Sequence, residues 1–216
     1  MSREASPPAR SVLPSPLYPI LDASQSGVRP MASILQDILD GGARLIQLRA
    51  KDMAAKEFFR LAEAARRLTR QAGCLLIVND RADIAMACQA DGVHLGQEDL
   101  PLSIARRLMG GKIIGISTHD SAQAREAEQG GADYIGFGPI FGTASKNTGY
   151  SPRGLEMLRE IRKAVKVPIV AIGGITETNV TQVWEAGAQA AALISDIMQA
   201  EDVAEKVRRI LSLRQA

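Results

Sequence analysis

The chain has 216 residues, of which 46% are hydrophobic and 23% are charged; this excludes a disordered chain and provides for one sizeable core. Lysine and arginine (26) nearly balance aspartate and glutamate (24), which argues against a dedicated nucleic-acid-binding protein. Aromatic residues make up only 4% of the chain, which disfavours recognition of bases by stacking. Two cysteines are too few for a disulfide framework or a four-cysteine zinc site.

The amino-terminal segment is rich in proline, serine and arginine and contains no apolar stretch, so it lacks the core of a secretory signal. We interpret residues 1–16 as a disordered or loosely attached tail and residues 17–216 as a single domain. A transit peptide is the alternative for the tail, although the segment shows no amphipathic helical pattern. Apolar runs elsewhere are too short to cross a bilayer, which predicts a cytoplasmic protein without a membrane partner. A homo-oligomer is compatible with the sequence.

Short apolar runs alternate with amphipathic stretches along the rest of the chain. The runs, each a predicted strand, are 17–21, 44–48, 74–78, 91–95, 112–116, 134–137, 168–172 and 190–194. Between the second and third runs, apolar residues recur at the intervals of three and four that mark one face of a helix: Phe58, Leu61, Ala62, Ala65 and Leu68.

Strands alternating with helices predict a parallel sheet with right-handed crossovers. So many units in about 200 residues fit a closed (β/α)8 barrel, the TIM barrel of the α/β class. The competing fold is an open doubly wound sheet, which carries a glycine-rich turn after its first strand. Here the first predicted strand is followed by Asp22, Ala23, Ser24 and Gln25, which favours the barrel.

Cations follow two of the predicted strands, at the ends where a barrel carries its reacting groups. Arg49 and Lys51 follow the second strand, and Lys146 lies in the segment after the sixth. The fold would bring these side chains to one face. Cations together with serine and threonine hydroxyls suit a phosphate or diphosphate ligand.

Two carboxylates follow adjacent predicted strands. Asp80 comes after the third strand and Asp99 after the fourth, and Mg²⁺ is commonly held by one or two carboxylates with substrate phosphates and water. Helix capping is the alternative, because aspartate is a favoured N-cap and Asp99 stands just before Leu100 and Pro101, a natural helix start.

The last two strands are followed by exposed backbone. Gly173 and Gly174 come after the seventh strand and Ile194 and Ser195 after the eighth, where barrels often bind a phosphate through backbone N–H groups. The segment 139–149 is long for a strand-to-helix connection, which predicts a loop that covers the substrate.

The two histidines are interpreted differently. His94 lies inside the fourth strand and is interpreted as a hydrogen-bonded structural residue. His119 ends the fifth strand and can reach the cavity, but no carboxylate or nucleophile matches it by spacing, which argues against a Ser/His/Asp hydrolase.

Short sequence motifs at the predicted strand ends resemble those of the thiamine phosphate synthase family. They occur in order at residues 47–51, 78–80, 93–99, 115–119, 138–141 with 143–146, and 171–175. The resemblance extends from about residue 17 to residue 210. It implies a (β/α)8 barrel that joins 4-amino-2-methyl-5-hydroxymethylpyrimidine diphosphate to a thiazole phosphate, giving thiamine phosphate and diphosphate.

The resemblance also implies roles for individual residues. The pyrimidine diphosphate would be bound by Gln47, Arg49, Lys51, Asn79, Ser117 and Lys146, of which Arg49, Lys51, Ser117 and Lys146 would act in catalysis. Mg²⁺ would be held by Asp80 and Asp99. The thiazole phosphate would be bound by Thr143, Ser145, Gly174, Ile194 and Ser195.

One loop departs from the common family pattern. Gly142 stands where many members have proline, and Ser145 where many have a second threonine. Two other functions stay open: a thiazole tautomerase-like barrel, with His119 as the acid and base, and a non-catalytic barrel that binds phosphate ligands. Asn79, Asp80 and Asp99 favour the synthase, because proton transfer needs no site for Mg²⁺ and diphosphate.

Overall fold

A computed structural model describes residues 13–142 and 150–214, and within them the strands form a closed parallel barrel in which each strand pairs with the next along the chain. The strands are β1 (Leu17–Asp22), β2 (Leu45–Arg49), β3 (Leu75–Asn79), β4 (Gly92–Leu95), β5 (Ile113–Thr118), β6 (Tyr134–Phe137), β7 (Ile169–Ile172) and β8 (Ala190–Leu193). β8 closes on β1, with Tyr18 opposite Ala192. The predicted TIM barrel is confirmed, and every strand overlaps its predicted run.

Helices connect the strands on the outside of the barrel. They are α1 (Met31–Asp40), α2 (Ala55–Gln71), α3 (Ala82–Ala87), α4 (Leu102–Met109), α5 (Ser121–Gln129), α6 (Gly154–Ala164), α7 (Val180–Glu185), α8 (Ser195–Met198) and α9 (Val203–Ser212). The apolar face predicted for α2 packs inward, with Phe58, Ala62 and Ala65 buried. None of the helices in the described ranges is long and apolar enough to cross a bilayer.

Residues 13–16, the end of the predicted tail, pack against the barrel. Leu13 and Ser15 are buried. The carbonyl of Pro16 accepts hydrogen bonds from the Ala191 N–H at 2.9 Å and from the Trp184 indole N–H at 3.0 Å. Residues 1–12 lie outside the described residues, so the tail remains a prediction there.

One type of contact recurs at the amino-terminal end of the strands. The residue just before β4, β6 or β8 has a side-chain oxygen that accepts a hydrogen bond from a backbone N–H of the preceding strand, at 2.7–2.8 Å. The same side chain also accepts a hydrogen bond from an arginine of an outer helix. These amino-terminal contacts are Asp91 with Leu76 and Arg66, Asp133 with Ile114 and Arg106, and Gln189 with Ile169 and Arg162. The contacts bind successive strand pairs together at the end of the barrel opposite the predicted site.

Removal of one amino-terminal contact is expected to destabilise the barrel without affecting its chemistry. Asp133→Ala leaves the buried N–H of Ile114 without its acceptor, which should lower the free energy of unfolding by about 1–3 kcal/mol. Urea denaturation measures the loss. Asp133→Asn keeps an oxygen for this N–H and should lose less; equal losses in the two variants would show that the backbone acceptor does not matter.

Candidate active site

A cavity opens at the carboxyl-terminal ends of the strands. Its lining brings together many of the predicted site residues, namely Gln47, Arg49, Asn79, Ser117, Gly174, Ile194 and Ser195. His119 also lines the cavity, as predicted. Because parallel strands all end on this side, residues from both halves of the sequence meet in one space.

The other predicted residues lie elsewhere. Lys51 is exposed in the turn after β2. Asp80 and Asp99 are half-buried and follow neighbouring strands, but they are not part of the cavity lining. Thr143, Ser145 and Lys146 lie outside the described residues, so their roles stay predictions.

Arg49 is held in place by a buried carboxylate on the neighbouring strand β1. Asp22 stands directly opposite Arg49 in the β1–β2 register, is fully buried, and forms an ion pair with the guanidinium. Its other oxygen accepts the N–H and the hydroxyl of Ser24, at 3.0 and 2.8 Å. Asp22 was not among the predicted site residues; the available signal was an acidic residue at the end of the first strand.

The Arg49 guanidinium retains an unused donor. Its Nε is buried and has no hydrogen-bond partner among the residues that the structure describes. A buried N–H without a partner is costly. The Arg49 side chain also lines the cavity, where a guanidinium suits a phosphate ligand, and its phosphate-binding role stays a prediction.

A row of hydrogen-bonded side chains crosses the barrel interior from Gln47 to Ser117. The Gln47 amide nitrogen donates to the Tyr18 hydroxyl at 3.2 Å, and the Tyr18 and Tyr134 hydroxyls lie 2.9 Å apart. The Tyr134 hydroxyl lies 3.0 Å from Nδ1 of His94, whose Nε2 lies 2.9 Å from Oγ of Ser117. Burial raises the pKa of Tyr18 and of Tyr134, so both hydroxyls remain protonated at neutral pH. We call Tyr18, Tyr134 and His94 the interior row.

Two glycines leave space for the interior row. A Cβ on Gly115 of β5 would lie 2.1 Å from Cζ of Tyr134, and one on Gly136 of β6 would lie 3.0 Å from Cε1 of His94. Any larger residue would displace these rings. Glycines inside predicted strands were thus the sequence signal for bulky neighbours in the barrel interior. His94 is hydrogen-bonded, as predicted, but it also lines the cavity.

Neither predicted metal ligand caps a helix. The N-cap positions of α3 and α4 are Arg81 and Pro101, and neither of these helices has a side-chain cap. The Asp80 backbone has a positive φ of 63°, and its N–H donates to the His94 carbonyl at 2.8 Å. Oδ2 of Asp99 accepts the Gly96 N–H at 2.6 Å, which closes the turn after β4.

Asp80 and Asp99 stay the predicted magnesium ligands. Asp80 and Asp99 follow the paired strands β3 and β4. Within the described ranges, no group of three or more His, Cys, Asp or Glu side chains could hold a metal ion. Mg²⁺ typically takes one or two carboxylates and fills its remaining positions with phosphate oxygens and water.

The loop after β7 depends on glycine. Gly174 has a φ of +62°, and a Cβ there would lie only 2.3 Å from the carbonyl oxygen of Gly142. The absence of a side chain lets the loops after β6 and β7 meet. It also leaves the backbone of Gly174 open on the cavity lining, as a phosphate site requires.

An ion-pair cluster fixes the loop after β7 and helix α8 to α9. Arg209 donates two hydrogen bonds to the Glu177 carboxylate, at 2.9 and 3.2 Å, and Nζ of Lys206 lies 3.0 Å from it. Asp196 accepts the Glu177 N–H at 2.9 Å and pairs with Lys206 at 3.2 Å. These hydrogen bonds, those from Arg209 above all, lower the pKa of Glu177 to about 2.

The cluster should make part of the stability dependent on acid. The pKa of Glu177 is lower in the folded than in the unfolded protein, so its contribution is complete above about pH 5 and is lost as the pH falls toward about 2. Because the group is partly exposed, we expect a loss of about 1–2 kcal/mol in the free energy of unfolding.

Urea denaturation of the wild type and of Glu177→Gln measures this loss. The variant should be the less stable protein at neutral pH, and the difference should shrink as the pH falls. A difference that does not change with pH would contradict the assignment to Glu177.

His119 has a defined proton position. Its Nδ1 lies 2.7 Å from the Gly138 carbonyl oxygen, which can only accept, so Nδ1 carries a proton. Its ring stacks on Tyr150 with the ring centres 3.9 Å apart. His119 is thus held at the cavity wall by two contacts.

Known proteins resemble this chain over most of its length. A family model described as thiamine monophosphate synthase matches residues 17–197. The thiamine-phosphate synthase of Moorella thermoacetica is 50% identical over 90% of this chain and 93% of that protein. The thiamine-phosphate synthase of Chloroflexus aurantiacus is 44% identical over 91% of each chain. The solved thiamine phosphate pyrophosphorylase of Pyrococcus furiosus superposes with a TM-score of 0.86 at 38% identity, covering 95% of this chain and 96% of that one.

Proposed function

The chain belongs to the thiamine monophosphate synthase family and is a transferase, and we propose that its barrel mouth joins 4-amino-2-methyl-5-hydroxymethylpyrimidine diphosphate to a thiazole phosphate. The products are thiamine phosphate and diphosphate. The observation that carries this assignment of the site is the guanidinium of Arg49 on the lining of a cavity that Gln47, Asn79 and Ser117 also line. Such a donor suits the leaving diphosphate.

Each substrate is assigned to one part of the cavity. Gln47, Arg49, Asn79 and Ser117 would bind the pyrimidine diphosphate, with Lys51 and Lys146 at its phosphates. The backbone around Gly174, Ile194 and Ser195, with Thr143 and Ser145, would bind the thiazole phosphate. Asp80 and Asp99 would hold Mg²⁺, which when bound adds positive charge beside the leaving diphosphate.

The reaction requires no protein nucleophile. The bond between the pyrimidine methylene carbon and the diphosphate oxygen breaks, and its electron pair leaves with the diphosphate. Arg49 stabilises this developing charge, while the aminopyrimidine ring stabilises the cation that remains. The thiazole nitrogen then donates its lone pair to the methylene carbon. Holding both substrates in this orientation can lower the barrier by about 7–11 kcal/mol.

Diphosphate release tests the function. The protein is mixed with both substrates and Mg²⁺, and thiamine phosphate and diphosphate should form in equal amounts. Tight binding of either substrate without release would favour a binding barrel. Isomerisation of a thiazole carboxylate phosphate without diphosphate release would favour the tautomerase. Either result would overturn the proposal.

We also place this reaction in the cytoplasm. Cys74 and Cys88 are both free and buried, as is usual in proteins of reducing compartments. The ligands proposed here are small molecules, and neither a nucleic acid nor a membrane is part of the proposal.

A further inference from the structure

We infer that the interior row selects 4-aminopyrimidines over 4-oxopyrimidines by fixing the direction of the hydrogen bonds at Gln47 and Ser117. His94 and Tyr134 are then positioning residues that determine specificity. The inference rests on the proposed function, because it takes Gln47 and Ser117 as the groups that contact the pyrimidine.

The donors in the row can be ordered because each hydroxyl has only one hydrogen. Gln47 donates to Tyr18 through its amide nitrogen. The Tyr18 hydrogen is then used toward Tyr134, and the Tyr134 hydrogen toward Nδ1 of His94. If the tyrosine-to-tyrosine bond ran the other way, the Tyr18 oxygen would accept twice and its own hydrogen would have no acceptor within the row.

The same order fixes the proton on His94. Since Nδ1 accepts from Tyr134, a neutral His94 carries its hydrogen on Nε2 and donates it to Oγ of Ser117. The Ser117 hydrogen is thereby left for a ligand. At the other end, Gln47 uses its nitrogen toward Tyr18, so its carbonyl oxygen remains as an acceptor among the described residues. The row thus presents an acceptor at Gln47 and a donor at Ser117.

This pattern matches an aminopyrimidine. A 4-amino group donates, and the adjacent ring nitrogen accepts. A 4-oxopyrimidine has the opposite pattern, because its carbonyl accepts and its ring N–H donates. To bind it in the same position, the Gln47 amide would have to turn its nitrogen toward the ligand, and its oxygen would then face a Tyr18 hydroxyl whose hydrogen points to Tyr134 unless the hydrogens of the row reverse. Because neighbouring hydrogen bonds in such a row support one another, this reversal at one end is opposed by the whole row.

The surroundings favour a fixed row. Tyr18 and Tyr134 are 1% and 0% exposed, so bulk water does not reach their hydroxyls to replace a lost partner. The Tyr134 ring occupies the space beside Gly115 and stacks on the His94 ring, with the ring centres 5.5 Å apart. The rings therefore have little freedom to choose other partners.

The proton on His94 can be observed directly by NMR. The protein contains only two histidines, so long-range ¹H–¹⁵N spectra of the histidine-labelled protein are simple to assign, with His94→Asn identifying the signals. At mildly alkaline pH we expect His94 to be protonated on Nε2. His119 serves as a reference for the opposite tautomer, because its Nδ1 donates to Gly138. A His94 protonated on Nδ1, or on both nitrogens, would overturn the inference without bearing on the synthase activity.

Binding measurements test the selectivity. Calorimetry without the thiazole phosphate compares the 4-amino pyrimidine diphosphate with its 4-oxo counterpart, and we expect the wild type to prefer the amino compound by about 100-fold or more. Tyr134→Phe removes the hydroxyl at the centre of the row and should reduce this preference about tenfold. Tyr18→Phe gives a second test if Tyr134→Phe does not fold.

Arg49→Lys is the matched control, because it should weaken binding of both compounds and leave their ratio unchanged. An unchanged ratio in the folded tyrosine variants, with normal diphosphate release in the wild type, would overturn this inference alone. Absence of release from the wild type would instead count against the proposed function.

Discussion

Asp80→Asn should reduce turnover by about a hundred- to thousandfold while the barrel remains folded, because it removes a negative charge that would hold Mg²⁺ beside the leaving diphosphate. Asparagine is the informative replacement, since it tolerates the positive φ of 63° at this position better than alanine does. Diphosphate release at saturating substrate measures the effect. Raising the Mg²⁺ concentration should restore part of the activity, and Asp99→Asn should behave in the same way.

Asp83→Asn is the control for this experiment. Asp83 lies close to Asp80 in the sequence, but its side chain is 62% exposed and pairs with Arg81. It should retain wild-type turnover. Wild-type turnover of Asp80→Asn at limiting Mg²⁺ would contradict the assignment of Asp80 as a metal ligand.

Arg49→Ala should have two separable effects. It removes the cation assigned to the diphosphate, which should reduce kcat/KM for the pyrimidine substrate by about a hundred- to thousandfold. It also leaves the fully buried Asp22 without its partner, which should cost about 3–5 kcal/mol of stability.

A double variant separates the two effects. Arg49→Met with Asp22→Asn removes both charges and should recover most of the stability, but none of the turnover. Urea denaturation and diphosphate release follow the two quantities in the same preparations. Recovery of turnover in the double variant would show that Arg49 serves the fold rather than the diphosphate.

The sequence was sufficient for the barrel and for much of its site, for a physical reason. Eight apolar runs separated by helical spacing leave few ways to pair parallel strands, and the site of such a barrel lies where its strands end. Gln47, Arg49, Asn79 and Ser117 follow from position together with chemistry and the family resemblance. All of them lie on the cavity lining.

The remaining features depend on contacts that one sequence does not reveal. Tyr18 and Tyr134 are 116 residues apart, and nothing local to either predicts their hydrogen bond. Asp22 becomes a partner of Arg49 only through the register of β1 with β2. Whether Asp80 or Asp99 caps a helix could likewise be decided only from the positions at which α3 and α4 begin.

The amino-terminal contacts are suitable positions for engineering the stability of this barrel. They repeat the same acceptor and arginine every two strands, but Gln189 is a neutral amide where its counterparts Asp91 and Asp133 are carboxylates. These positions lie at the end of the barrel away from the substrates. Substitutions at these contacts can therefore change the heat tolerance of the barrel without altering any residue of the cavity lining.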